Sequence, residues 1–248
     1  MTTDRRTFLK QTTWTLLGGG ILISIGSFFP SAGGALQKTP SPELFGFIVD
    51  TTTCIGCGKC VQACKTENCV PDECYRTWVE RYIITAGDSV FIDSPHGALY
   101  GFKGSGVAGD VKRAFFVPKL CNHCAEPNCV QVCPVGATYM TEEGVVLVDE
   151  KHCVGCGYCV QACPYGARFM HPVRHTADKC TWCYHRVKKN LLPACVIVCP
   201  VKARQFGNLN DPKSAINRVL KQFRISVLKP ETGNNPKTYY VGLDKEVR

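Results

Sequence analysis

Sixteen of the 18 cysteines in this 248-residue chain fall into four tight groups, and that clustering limits what the chain can fold around. The third group, Cys153, Cys156, Cys159 and Cys163, has the spacing C-x2-C-x2-C-x3-C-P, closed by Pro164. So short a loop, with Gly155 and Gly157 letting the backbone approach closely, wraps a compact object. The run is the bacterial signature for a 4Fe-4S cluster, in which three thiolates hold one cluster and the fourth reaches its neighbour. A disulfide framework would scatter its cysteines along the chain. Zinc fits one of the looser groups taken alone, but not the repeat that the other groups reveal.

The first group, Cys54, Cys57, Cys60 and Cys64, matches the third at C-x-G-C-G-x-C-V-Q-A-C, with Lys65 standing where the third has Pro164. The second group (Cys121, Cys124, Cys129, Cys133) and the fourth (Cys180, Cys183, Cys195, Cys199) share C-x2-C, a variable insert, then C-V-x-V-C-P-V-x-A. The chain is thus two pairs of motifs, with groups two and three nested between one and four. Each pair resembles a two-cluster ferredoxin. That resemblance implies an α+β fold class: a duplicated bacterial two-4Fe-4S ferredoxin-like fold with an inserted β-hairpin and loop region. The ligand exchange of such ferredoxins implies four 4Fe-4S clusters. The first takes Cys54, Cys57, Cys60 and Cys199, and the second takes Cys64, Cys180, Cys183 and Cys195. The third takes Cys121, Cys124, Cys129 and Cys163, and the fourth takes Cys133, Cys153, Cys156 and Cys159.

A formal net charge of +9 ordinarily points to an anionic partner. Each four-thiolate cluster carries about −2, however, so four of them offset about 8 of those charges. With no basic run interleaved with aromatics, nucleic acid is not an expected partner. An apolar content of 45% is enough for a packed core.

Arg5-Arg6-Thr7-Phe8-Leu9-Lys10 resembles a twin-arginine export signal, with Asp4 where Ser or Thr is usual, and no charge follows from Gln11 to Gln37. This route exports folded proteins, so clusters can be loaded in the reducing cytoplasm before the chain meets an oxidising compartment. The expected location is the extracytoplasmic (periplasmic) face of the cytoplasmic membrane. Two readings of the apolar run stay open. Cleavage after Ala35 would remove it; otherwise residues 11–30 stay as an anchor, although Trp14 to Phe29 is short for a span of roughly 20 residues.

The signal or anchor is expected over residues 1–37 and the cluster domain over 38–248. Within the domain, one lobe covers 115–175 and the other 45–84 plus 176–206, with an insertion at 85–114 and an extension at 207–248. Strands are expected from Phe45 to Val49, on either side of Gly87-Asp88, and in a hairpin turning at Glu143-Gly144. Asp211-Pro212 reads as an N-cap and first helical residue, followed by a helix with Ala215, Ile216, Val219, Leu220 and Phe223 on one face. The KTYYVGLD tail is a strand, on this chain or on a partner. Cys69 and Cys74 fall outside the four groups and read most economically as a small disulfide, with free thiols as the alternative. His123, His152 and His185 read as ordinary surface or loop residues, and Trp78 and Trp182 as packing around the clusters. No nucleophile arrangement, nucleotide loop or pterin pattern stands out, so the chain reads as an electron conductor and not as an enzyme.

The whole ladder, with PNCVQVCPVGA, GYCVQACPYGARF, ADKCTWC and PACVIVCP, resembles the four-cluster iron–sulfur subunits of the NrfC, DMSO-reductase and polysulfide-reductase type. Some relatives hold a 3Fe-4S centre where tryptophan replaces a cysteine; Cys129 is present here. The export signal with ENCVPDECYRTWVERY is similar to the iron–sulfur subunit of Dsr- or Hme-type menaquinone complexes, although tetrathionate-reductase, nitrite-reductase and hydrogenase versions share nearly all these motifs. The resemblance implies an electron-transfer subunit of an anaerobic respiratory complex. It would stand between an NrfD-like integral membrane quinone-binding subunit and a catalytic or multihaem cytochrome subunit. The alternative is a free-standing extracytoplasmic polyferredoxin that carries electrons by diffusion.

Overall fold

The computed structural model describes residues 42–104 and 110–247. The expected export signal or anchor lies outside the described residues. From Phe45 onward, cysteine loops alternate with short strands. β1 (Phe45–Asp50) leads into the first group, which ends on α1 (Lys59–Asn68). β2 (Thr77–Thr85), β3 (Val90–Asp93) and β4 (Val111–Leu120) follow, and then the second group with α2 (Asn128–Gln131). The hairpin of β5 (Thr138–Met140) and β6 (Val146–Val148) leads to the third group and α3 (Tyr158–Gln161). A second hairpin, β7 (Arg168–Met170) and β8 (Ala177–Lys179), leads to the fourth, with α4 (Tyr184–Val187) and α5 (Ala194–Ile197). β9 (Arg204–Asn208), α6 (Ala215–Gln222), β10 (Ile225–Ser226) and β11 (Thr238–Val241) complete the chain.

The central sheet has the order β10-β11-β1-β9, with β1 parallel to β11 and antiparallel to β9. The KTYYVGLD tail therefore adds a strand to its own chain. β1 reads as a continuous apolar run because both of its faces are covered. Ile48 packs under α6 with Ile216 and Val241, while Phe47 on the other face stacks with Trp182 and meets Phe206 at a tilt. The first face fixes the C-terminal extension, and the second points into the cysteine loops.

The helix near residue 215 departs from its expected start. Asp211 does not cap it: its side chain accepts from the Lys213 N–H at 2.9 Å and its carbonyl from the Ser214 N–H at 2.9 Å. That local turn competes with helix, and Ser214 becomes the N-cap. Phe223 has already turned extended and is exposed, as is Ala215, so the buried stripe is Ile216, Val219 and Leu220.

The insertion forms an antiparallel sheet in the order β3-β2-β4, turning at Asp88 with φ 57°. No strand was expected over β4, which contains Pro118. Proline is tolerated there because β4 is an edge. The strand crosses residue 114, so the insertion and the adjoining lobe share it. The β7–β8 hairpin likewise spans residues 175 and 176, where the two lobes were expected to part.

Candidate functional site

Two helix contacts bring the cysteine groups together. α1, carrying Cys60 and Cys64, packs on α5, which carries Cys195 and precedes Cys199; α2, carrying Cys129, packs on α3, which carries Cys159 and precedes Cys163. Group one therefore meets group four, and group two meets group three, across pairs far apart in sequence.

One partly open pocket, with about 350 Å³ of space not filled by protein atoms, part of it open to solvent, is lined by Cys121, Cys124, Cys129 and Cys163. A second, of about 290 Å³, is lined by Cys64, Cys180, Cys183 and Cys195. Each holds three thiols from one group and one from another. Cys60 and Cys199 lie close enough to Cys54, and Cys57 and Cys199 close enough to Cys60, for their charges to repel. Cys133, Cys153, Cys156 and Cys159 lie further out, Cys159 buried and Cys156 exposed.

Burial, compounded by neighbouring thiols, pushes Cys124 and Cys180 up to about 12. Burial also pushes Cys54 and Cys195 up to about 11, the second against the pull of Arg204. Cys133 goes the other way: burial would raise it, but N–H donors at Thr138, Val135 and Ala137 hold it below its ordinary value. Thiols this reluctant to ionise alone would be held as thiolates by a cation between them, which bound iron would supply.

The surroundings fit an anionic group. Arg168 and Arg204 are buried, and among the described residues neither has a carboxylate within ion-pair distance. Arginine cannot shed its charge. An uncompensated buried cation costs about 3–5 kcal/mol, so two of them would cancel most of the roughly 5–15 kcal/mol that holds a domain folded. Thiolates are the available anions: Arg168 Nη2 donates to Cys129 Sγ at 3.1 Å. Asn122 and Asn234 border the first cavity with unpaired buried amide atoms, and Trp182 Nε1 and Arg76 Nε border the second. Backbone N–H groups also face sulfur, from His123 to Cys121 at 3.5 Å and from Trp182 to Cys180 at 3.4 Å. Iron–sulfur clusters bound there would supply one-electron chemistry.

Residues 53–137 and 112–209 each match the family described as a 4Fe-4S dicluster domain. The chain is 41% identical over 246 residues to a tetrathionate reductase subunit of Salmonella typhimurium, covering 98% of this chain and 90% of that one. It is 47% identical over 212 residues to the corresponding tetrathionate reductase subunit of Archaeoglobus fulgidus, with 86% and 88% covered. Protein NrfC of Escherichia coli is 38% identical over 245 residues, with 97% and 96% covered. The chain belongs to the 4Fe-4S dicluster iron–sulfur subunits. Such a subunit transfers electrons within a reductase complex and is not its catalytic chain. The α+β architecture accords with that membership.

Two expectations change in the structure. Cys69 and Cys74 are free thiols. Cys69 is exposed in a left-handed conformation at the end of α1, whereas the Cys74 N–H is turned inward onto the Pro71 carbonyl. His123 is no surface residue: it is fully buried and stacked on Trp182 at 4.0 Å between ring centroids. Its Nδ1 accepts from the Val146 N–H at 3.0 Å, so the ring proton sits on Nε2 and is donated to the Cys180 carbonyl at 3.0 Å. Burial, with Lys179 and Lys237 nearby, holds it well below the usual histidine range and hence neutral. His152 and His185 are exposed partners of Asp149 and Glu67. The buried arginines went unnoticed in the sequence, though both stand in C-P-x2-A-R after the last cysteine of their group.

Proposed function

We propose that this chain is a conductor of four 4Fe-4S clusters. The ligand sets are Cys54, Cys57, Cys60 and Cys199; Cys64, Cys180, Cys183 and Cys195; Cys121, Cys124, Cys129 and Cys163; and Cys133, Cys153, Cys156 and Cys159. The carrying observation is that two cavities each take three cysteines from one group and the fourth from another. It relays electrons between an NrfD-like quinone-binding membrane subunit and a catalytic or multihaem cytochrome subunit. The names of its relatives make tetrathionate reductase the first catalytic partner to look for. Native purification should yield a brown protein with about sixteen iron atoms per chain, together with a multi-span membrane protein. Iron near zero with zinc in its place would refute the clusters, and a soluble monomer with full iron would favour the free polyferredoxin.

The site of action proposed is the extracytoplasmic face of the membrane, reached by the twin-arginine route. What supports it is Arg5-Arg6 ahead of Phe8-Leu9-Lys10 and an uncharged stretch. Among the described residues no helix is long and apolar enough to cross a membrane. Replacing both arginines by lysine should leave the holoprotein in the cytoplasmic fraction; unchanged export would remove this part of the proposal.

A further inference from the structure

Buried cations in this fold are of two kinds. Arg76, Arg81 and Lys119 each meet a carboxylate, Asp178 at 2.7 Å, Asp93 at 2.6 Å and Glu80 at 2.7 Å. Arg168, Lys179, Arg204 and Lys237 are buried more deeply still, and among the described residues none of the four is within ion-pair distance of a carboxylate. Lys237 donates to the Gly144 carbonyl at 2.6 Å and lies beside Cys121 and Cys124 of the third set alone, whereas the other three each face two sets. Arg168 and Lys179 even stand directly opposite one another in the β7–β8 hairpin. Like charges in that position repel unless anions lie close to both.

Their surroundings divide in a regular way. Arg204 lies among Cys54 and Cys60 of the first ligand set and Cys195 of the second. Lys179 lies among Cys180 of the second and Cys121 and Cys129 of the third, where His123 and Trp182 also stack. Arg168 bonds Cys129 of the third set and faces Cys159 of the fourth. Both arginines are also held by a threonine that begins a strand: Arg204 by Thr77 at 2.9 Å and Arg168 by Thr138 at 3.3 Å. An arginine–threonine pair therefore stands in each lobe.

We propose that Arg204, Lys179 and Arg168 are junction cations, one between each successive pair of clusters, that raise the potentials of both neighbours together. This rests on the four-cluster reading. An electron leaving one cluster arrives on the next, and each acceptor becomes more negative by one charge. A fixed cation shared by two clusters stabilises the reduced form of each. It therefore lifts both potentials without opening a step between them. At the two arginine junctions the guanidinium is tethered by a threonine and cannot deprotonate, so the compensation there stays in place through every transfer; Lys179 is held instead by the Val146 and Cys180 carbonyls. These residues act through the clusters and are positioning groups.

The test is a potentiometric titration of the holoprotein by electron paramagnetic resonance, with iron counted in every sample. R204Q should lower the midpoint potentials of the first and second centres and leave the other two in place; R168Q should lower the third and fourth instead. R204K, which keeps the charge, should retain iron and stay close to wild type. A full-iron R204Q with no shift, or an equal shift of all four centres, overturns the proposal. So does equal loss of iron from R204K and R204Q with the surviving centres unmoved, because that marks a merely structural residue. Loss of iron from R204Q alone supports the need for charge. Failure of the four-cluster reading would show separately, as wild-type iron well short of about sixteen per chain.

Discussion

Replacing Cys163 with serine is expected to break the centre of the second group and to spare the centre of its own. Cys163 is only four residues from Cys159 and shares a motif with it, yet it lines the cavity of Cys121, Cys124 and Cys129. The packing of α2 on α3 carries it there. Serine is a poor substitute for thiolate, so that centre should lose about one iron, as a 3Fe-4S core, or all of its about four. The decisive measurement pairs substitutions. C163S combined with C121S strikes one centre twice, and its iron loss should be well below the sum of the two single losses. C163S combined with C153S strikes two centres, and its losses should add, as independent sites do. The reverse pattern would assign Cys163 to its neighbours in sequence and remove the exchange of ligands between groups.

The cysteine spacings made the groups and their duplication legible, because a motif wrapped around a small object leaves little freedom in spacing, and the apolar run made the strand before the first group legible. The outer framework was less so. β4 went unread: it contains Pro118, which is harmless only because the strand has one partner, and strand pairing is not written in local sequence. The start of α6 was misplaced since Asp211 satisfies its own neighbours, and only the surrounding packing chooses between a turn and a cap. His123 looked like any loop histidine. Its burial follows from the Trp182 ring and the Val146 backbone meeting it from distant parts of the chain. The junction arginines lay in plain sight in a repeated C-P-x2-A-R, but a lone basic residue at a strand start is ordinarily solvated. What marks these two is the lack of a carboxylate, which only the fold reveals.

The duplicated motif also supplies its own control for the second large effect. Gly58 and Gly157 occupy equivalent places, each a left-handed N-cap ahead of a cysteine helix, with φ +72° and +76°. Alanine in that conformation costs about 1–2 kcal/mol at either position. Their surroundings differ sharply. A Cβ on Gly157 would meet nothing within 4 Å, whereas one on Gly58 would fall 2.0 Å from the Ala98 carbonyl oxygen. That oxygen belongs to the turn at Pro95–Ala98, and Gln62 Nε2 fastens the next residue by donating to the Leu99 carbonyl at 2.8 Å. The turn cannot retreat without releasing the insertion, so overpacking adds about 1–3 kcal/mol. G157A should therefore keep its iron and unfold slightly early in denaturant. G58A should unfold markedly earlier and lose iron from the centre of Cys54, Cys57 and Cys60 first. Equal effects would mean that the turn yields freely. Unequal effects would show that the insertion clamps the loop of Cys54, Cys57 and Cys60.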